Sequence, residues 1–122
     1  MSSKGKEIVE NFYESFYSDS KVLEKYLHPE ASLCWHSSIG YREMDFSQIS
    51  GLTKEMAENY DDLRIEVASL IQEDGQVAIH FTYHVKTIEN PEEEMPLAHF
   101  MATWELKDNK LYKGYQISQL AE

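Results

Sequence analysis

Apolar residues fall at helical spacing through KEIVENFYESFY, where Ile8, Phe12 and Phe16, flanked by Val9 and Tyr13, predict an amphipathic helix with an aromatic inner face. This helix is expected to end near Asp19. Asp19 or Ser20 can cap a second, shorter helix, KVLEKYL, whose Val22, Leu23, Tyr26 and Leu27 point one way and which Pro29 stops. ASLCWHSSI then reads as a strand. Asp45, with Gln48 three residues on, forms a capping box for a third helix carrying Ile49, Leu52, Met56 and Tyr60, which Gly51 weakens. From Leu63 the period falls to two and four strands follow: LRIEVASLIQED, QVAIHFTYHVKTI, MPLAHFMATWELKD and KLYKGYQIS. Turns at Asp74-Gly75, at the Asn90-to-Pro96 loop and at Asp108-Asn109 separate them. Glu92, Glu93 and Glu94 read as a solvated hairpin tip rather than an acidic docking or calcium loop.

The second of these strands carries His80 and His84. They share a face, but at ~3.3 Å per residue their backbones lie about 13 Å apart, too far for one metal ion. A hairpin closed over the Asn90–Pro96 loop makes facing positions sum to about 185. That register sets His80 opposite Glu105, Thr82 opposite Thr103, His84 opposite Met101 and Lys86 opposite His99, a polar outer face with a His80–Glu105 pair. Val77, Ile79, Phe81, Tyr83 and Val85, with Phe100, Ala102, Trp104 and Leu106, form the apolar inner face. His84 and His99 are diagonal neighbours without an obvious third ligand, so no metal site is expected.

Composition narrows the function classes. The 122 residues are 42% hydrophobic and 12% aromatic, enough for one domain, residues 1–122, burying roughly two-thirds of its unfolded surface. Asp and Glu number 22 against 11 Lys and Arg, and a net charge of −11 without a basic patch argues against nucleic acid and anionic membranes as partners. Cys34, the single cysteine, excludes an internal disulfide. No apolar stretch reaches the ~20 residues of a membrane span, and MSSKGKEIVE has no signal-peptide h-region, so a cytoplasmic protein is expected. No cofactor is called for.

The order helix, helix, strand, helix and long antiparallel meander resembles the nuclear transport factor 2-like superfamily, in particular its SnoaL-like (polyketide cyclase-like) family. The resemblance spans nearly the whole chain. Its carriers are the aromatic first helix, KVLEKYLHPEASL, NYDDLRIEV, QVAIHFTYHV and DNKLYKGYQIS. It implies a cystatin-like α+β cone, with three N-terminal helices packed on a strongly curved, mixed, mostly antiparallel sheet that encloses a pocket and dimerises through its outer face. Such cones host isomerases, cyclases, hydrolases and dehydratases as well as binding proteins. The ketosteroid-isomerase branch places a carboxylate base on the first strand, where this chain has SLCWHSS with Trp35 near the base position. Polyketide-cyclase-like members place an acid after the closing motif, where this chain has Ser118 and Gln119.

No Asp or Glu stands in the inward stripe of 77–85 and 98–106, so the strands offer no buried carboxylate. His36, with Tyr13, Tyr41, Tyr60, Asp61 and Asp62, is what remains for proton transfer, and His36 is the catalytic candidate. Alternation sets a limit on it: with Leu33 and Trp35 inward, Cys34 and His36 face out unless a bulge intervenes. Cys34 has no thiolate-stabilising neighbour other than His36. Trp35, Tyr60, Tyr83 and Trp104 are expected to line a ligand pocket, since Tyr and Trp supply an apolar wall with a hydrogen-bonding tip. The expected function is therefore a SnoaL-like, homodimeric binder of a small apolar or aromatic molecule. The alternatives are an isomerase, cyclase or dehydratase using His36 or a tyrosine, and an interaction module acting through His80–Lys86 and His99–Glu105.

Overall fold

Three helices lie against one face of a six-stranded sheet in the computed structural model, which describes residues 4–15, 20–59, 62–86, 89 and 92–121. Helix α1 (Lys4–Ser15) buries Ile8, Val9, Phe12 and Tyr13, the stripe set by its period. Its first turn is closed from the sheet, where Gln72 Oε1 accepts the Lys6 N–H at 3.2 Å. Helix α2 (Ser20–Tyr26) leads directly into strand β1 (Leu27–Ser37), and Lys110 Nζ donates to the Glu24 carbonyl near the helix C-terminus at 2.9 Å. A turn at Ser38-Ile39 returns the chain as β2 (Gly40–Asp45). Helix α3 (Phe46–Asn59) opens on the expected capping box, in which Gln48 N–H donates to Asp45 Oδ1 and Asp45 N–H to Gln48 Oε1, each at 2.9 Å. Phe16, Tyr60 and Asp61 lie outside the described residues.

Strands β3 (Asp62–Glu73), β4 (Gln76–Lys86), β5 (Met95–Lys107) and β6 (Lys110–Leu120) complete the sheet in the order β2-β1-β6-β5-β4-β3. Among the described residues only β1 and β6 run parallel, and the other pairs are antiparallel. Asp74 has φ 51°, and Asp108 and Asn109 have φ 54° and 61°, left-handed conformations that Asp and Asn tolerate and that tight hairpins require. The register shifts at Val67/Ser69, Tyr83/His84 and Glu105/Leu106, where a bulge or other irregularity breaks the regular pairing. The largest fully buried side chains, Trp104, Tyr83 and Phe81, come from the inner stripe that alternation assigns.

Two expectations are corrected. With β4 ending at Lys86 and β5 starting at Met95, the pairing centres two positions earlier, so His80 faces Met101, Thr82 faces His99 and Glu105 faces Gln76. The Asn90–Pro96 loop centres the hairpin two residues too late. The displacement is an even number of residues, so the two faces keep their members while the His80–Glu105 pair does not form. Strand β2 was not expected, because GYREMD buries only Met44 and has no alternation to read.

Candidate functional site

Where the helices meet the inner face of the sheet, the apolar side chains do not close completely. A small inner cavity of about 40 Å³ is lined by Phe12, Leu33, Trp35, Tyr83, Phe100 and Trp104, with Tyr13, Gln116 and the α3 residues Ile49, Leu52 and Met56. Beyond it a hollow of about 230 Å³ opens between α3 and the ends of β1, β2, β5 and β6. Trp35, Leu52, Met56 and Phe100 border both, so they form the wall between mouth and interior.

A directed hydrogen-bond chain crosses the interior. Trp104 Nε1 donates to Tyr13 Oη at 2.8 Å, and Tyr13 donates to Gln116 Oε1 at 2.8 Å. Tyr83 Oη donates to the Tyr13 carbonyl at 3.0 Å. Burial pushes the Tyr13 phenol well above its ordinary range, only partly offset by the Trp104 bond. A phenol so placed stays protonated and is a fixed relay rather than a base. Gly114 makes the arrangement sterically possible: it faces Trp104 across β5–β6, and a Cβ there would lie 2.7 Å from three ring atoms.

At the mouth Trp35 Nε1 donates to Ser118 Oγ at 2.8 Å, while the Arg42 guanidinium lies 5.7 Å from the Trp35 ring centre. Glu55 is the carboxylate that borders the mouth among the described residues, and it is exposed. Among the same residues no carboxylate or histidine lines the inner cavity.

Of the residues the sequence nominated, Trp35, Tyr83 and Trp104 meet at this cavity, whereas Tyr60 lies outside the described residues. His36 stands on the opposite face of the sheet, exposed, its ring 4.5 Å from Tyr41. Cys34 is half-buried on that face, and its hydrogen bond with Tyr41, followed by desolvation, pushes the tyrosine up to about 12. His84 Nε2 lies 2.8 Å from Glu66 Oε1, and His99 Nδ1 2.9 Å from Thr82 Oγ1. Gln116 was not nominated. Its signal is present in KLYKGYQIS: a carboxamide at an inward position of a strand must find partners inside.

The outer face carries a band of apolar side chains. Tyr41, Ile71, Met101, Tyr115 and Ile117 are all more than half exposed. Register joins them across the sheet, as His36 faces both Tyr41 and Ile117, Ile117 faces Met101, and Thr103 links Tyr115 to Ala78 and so to Ile71. Among the described residues no helix is long and apolar enough to cross a membrane.

No protein-family model matches the sequence, and no curated protein matches it significantly. Solved structures do. IdmH from Streptomyces antibioticus, described as a candidate polyketide cyclase, superposes with a TM-score of 0.75 at 17% identity, covering 93% of this chain and 91% of that one. A candidate SnoaL-like polyketide cyclase from Jannaschia sp. CCS1 gives 0.72 at 13% identity, over 95% and 85%. A protein of ketosteroid isomerase-like fold from Catenulispora acidiphila, solved with trimethylamine, gives 0.69 at 14%, over 90% and 83%. The chain therefore has the α+β cone fold of the nuclear transport factor 2-like proteins.

Proposed function

We propose that this protein is a SnoaL-like small-molecule-binding protein, taking a mostly apolar or aromatic ligand whose body lies at the mouth of the cone against Trp35 and whose inner end points toward Tyr83 and Trp104. The observation that carries this reading is the composition of the cavity wall. It is aromatic and aliphatic, and among its few polar groups Trp104, Tyr13 and the Gln116 oxygen are linked to one another, so it offers contact area and orientation but no acid–base pair. The SnoaL-like and polyketide-cyclase descriptions of the structural neighbours support a cyclic ligand. A reaction relying on His36 is disfavoured by its place on the other side of the sheet.

The same reading includes a homodimer through the outer sheet face. Six strands span about 24 Å at ~4.8 Å spacing, and strands of eleven residues run about 35 Å, which supplies the ~800 Å² per partner of a standard interface. A lone thiol suits a reducing compartment, which supports a cytoplasmic site of action.

A plug at the mouth tests the ligand site. Tetralin, a bicyclic hydrocarbon, should quench or shift the fluorescence of the two tryptophans saturably. Met56→Phe, which adds bulk to the shared wall without adding a tryptophan, should weaken that binding at least tenfold while leaving the far-ultraviolet circular dichroism intact. Undiminished binding in the plugged variant would place the ligand elsewhere and defeat the proposal.

A further inference from the structure

Every polar hydrogen of the inner wall can be followed to its acceptor except those of one group. The Trp104 indole can only donate, so Tyr13 Oη accepts from it, and the single phenolic hydrogen of Tyr13 goes to Gln116. With the Tyr13 hydroxyl donating to the carboxamide, Oε1 faces Tyr13 and Nε2 faces away. The Trp35 indole hydrogen is held by Ser118, and the Tyr83 hydroxyl by the Tyr13 carbonyl. Gln116 Nε2 has no hydrogen-bond partner among the described residues, although the residue is only 5% exposed. No side-chain nitrogen or oxygen among those residues is both sealed from solvent and unpaired, so Nε2 retains open surface; Gln116 borders both the inner cavity and a hollow of about 480 Å³ on the outer face, and its side chain, bonded to Tyr13, lies on the inner side.

We infer that Gln116 is the recognition group of the pocket, and that the ligand is a neutral cyclic molecule leading with a carbonyl oxygen, which accepts from Gln116 Nε2. The inference rests on the ligand-binding reading above and adds the polarity of the group that enters first. An inner space of about 40 Å³ admits one small polar group of a ligand whose body fills the mouth. A protonated amine leading inward would bring hydrogens against hydrogens. A carboxylate would be buried without a counter-charge, because Arg42 stands at the mouth beyond Trp35. A carbonyl oxygen satisfies Nε2 and brings no hydrogen of its own. The Trp104–Tyr13–Gln116 chain aligns three dipoles in one direction and strengthens the terminal donor, as hydrogen-bond chains in low dielectric do.

The test compares 1-tetralone with tetralin, which have nearly the same shape and differ by one carbonyl oxygen. Titrated into the wild-type protein and followed by tryptophan fluorescence, the ketone should bind about tenfold more tightly than the hydrocarbon. In Gln116→Met that preference should fall to about unity. Because this substitution also strands the Tyr13 hydroxyl and can impair folding, a second measurement uses the wild type alone: the ¹⁵N side-chain resonance of Gln116 should move on adding tetralone and stay within error on adding tetralin. Equal affinity for the two probes with a stationary resonance would overturn the inference and leave the pocket standing, Nε2 then holding only a water molecule. Failure of both probes to bind would overturn the ligand-binding reading and this inference with it.

Discussion

Gly114→Ala is the sharpest perturbation that the packing allows. The added methyl would sit 2.7 Å from Trp104 ring carbons, about 0.7 Å inside the 3.4 Å at which ordinary contact begins. The obstacle is a rigid ring. Trp104 is 1% exposed, meets Phe12 edge-on at 6.2 Å and is tied to Tyr13 through Nε1. If the ring retreats by the whole overlap, the 2.8 Å bond to Tyr13 stretches to the limit of a hydrogen bond. Overpacking of this kind costs about 1–3 kcal/mol and a lost net hydrogen bond about 1 kcal/mol, so the variant should lose about 2–4 kcal/mol. For a domain of this size that corresponds to a fall in Tm of about 8–16 °C. Urea denaturation followed by far-ultraviolet circular dichroism measures it, with Trp104→Phe as the second arm of a double-mutant cycle. In the Trp104→Phe background, where a smaller ring can yield, Gly114→Ala should cost less than about 1 kcal/mol. An equal cost in both backgrounds would refute the assignment of the strain to Trp104.

The outer face and the surface charges supply two further expectations. If the apolar band of β2, β1, β6, β5 and β3 is covered by a second copy, Met101→Arg should convert a dimer to a monomer in sedimentation velocity with Tm measured on the monomer unchanged, because Met101 is 61% exposed; a dimer that persists would move the interface elsewhere. Arg64 holds Glu94 through a two-pronged hydrogen bond, with Nη2 at 2.8 Å, and its guanidinium keeps the carboxyl below its ordinary value. A depressed folded value means that the extra stability is present above the unfolded carboxylate range and is lost as pH falls through the folded value. The urea midpoint of the wild type should therefore exceed that of Glu94→Gln slightly at pH 7, with the gap closing toward pH 3 and shrinking in high salt; a gap that widens in acid would reverse the sign argued here.

Much of the architecture is legible in the chain because it depends on local rules. The period of α1, the Asp45/Gln48 box and the turn residues at Asp74 and Asp108-Asn109 each specify their own surroundings. Face assignment survived a misplaced turn, since an even shift preserves which side a residue occupies. What stayed hidden depends on long-range partners. Strand β2 exists because β1 presents an edge to it, and its own residues are mostly exposed. The pairing of histidines follows the exact loop length, which no local pattern encodes. Trp35, Tyr83 and Trp104 could be nominated because large aromatic side chains at inward positions are visible in the sequence. Gln116 could not be given its role, because that depends on Trp104 and Tyr13 reaching it from elements far away in sequence.

The single parallel pairing, β1 beside β6, has a consequence for synthesis. Strand β6 sits inside the sheet, between the first strand and the fifth, although it is made last of the six. Until it leaves the ribosome, β1 with its short partner β2 and the β3–β5 meander are separate halves with open edges. At about 5–20 residues per second, translation from the start of β1 to the end of β6 takes roughly five to twenty seconds. During that interval the nascent chain displays unpaired backbone, and for roughly the last one to three seconds of it also the apolar inner stripe of β5, Ala98, Phe100, Ala102 and Trp104, to whatever is nearby. Holding chaperones are the natural guardians of such a chain, and premature stop codons before Lys110 should yield aggregating fragments rather than smaller folded proteins.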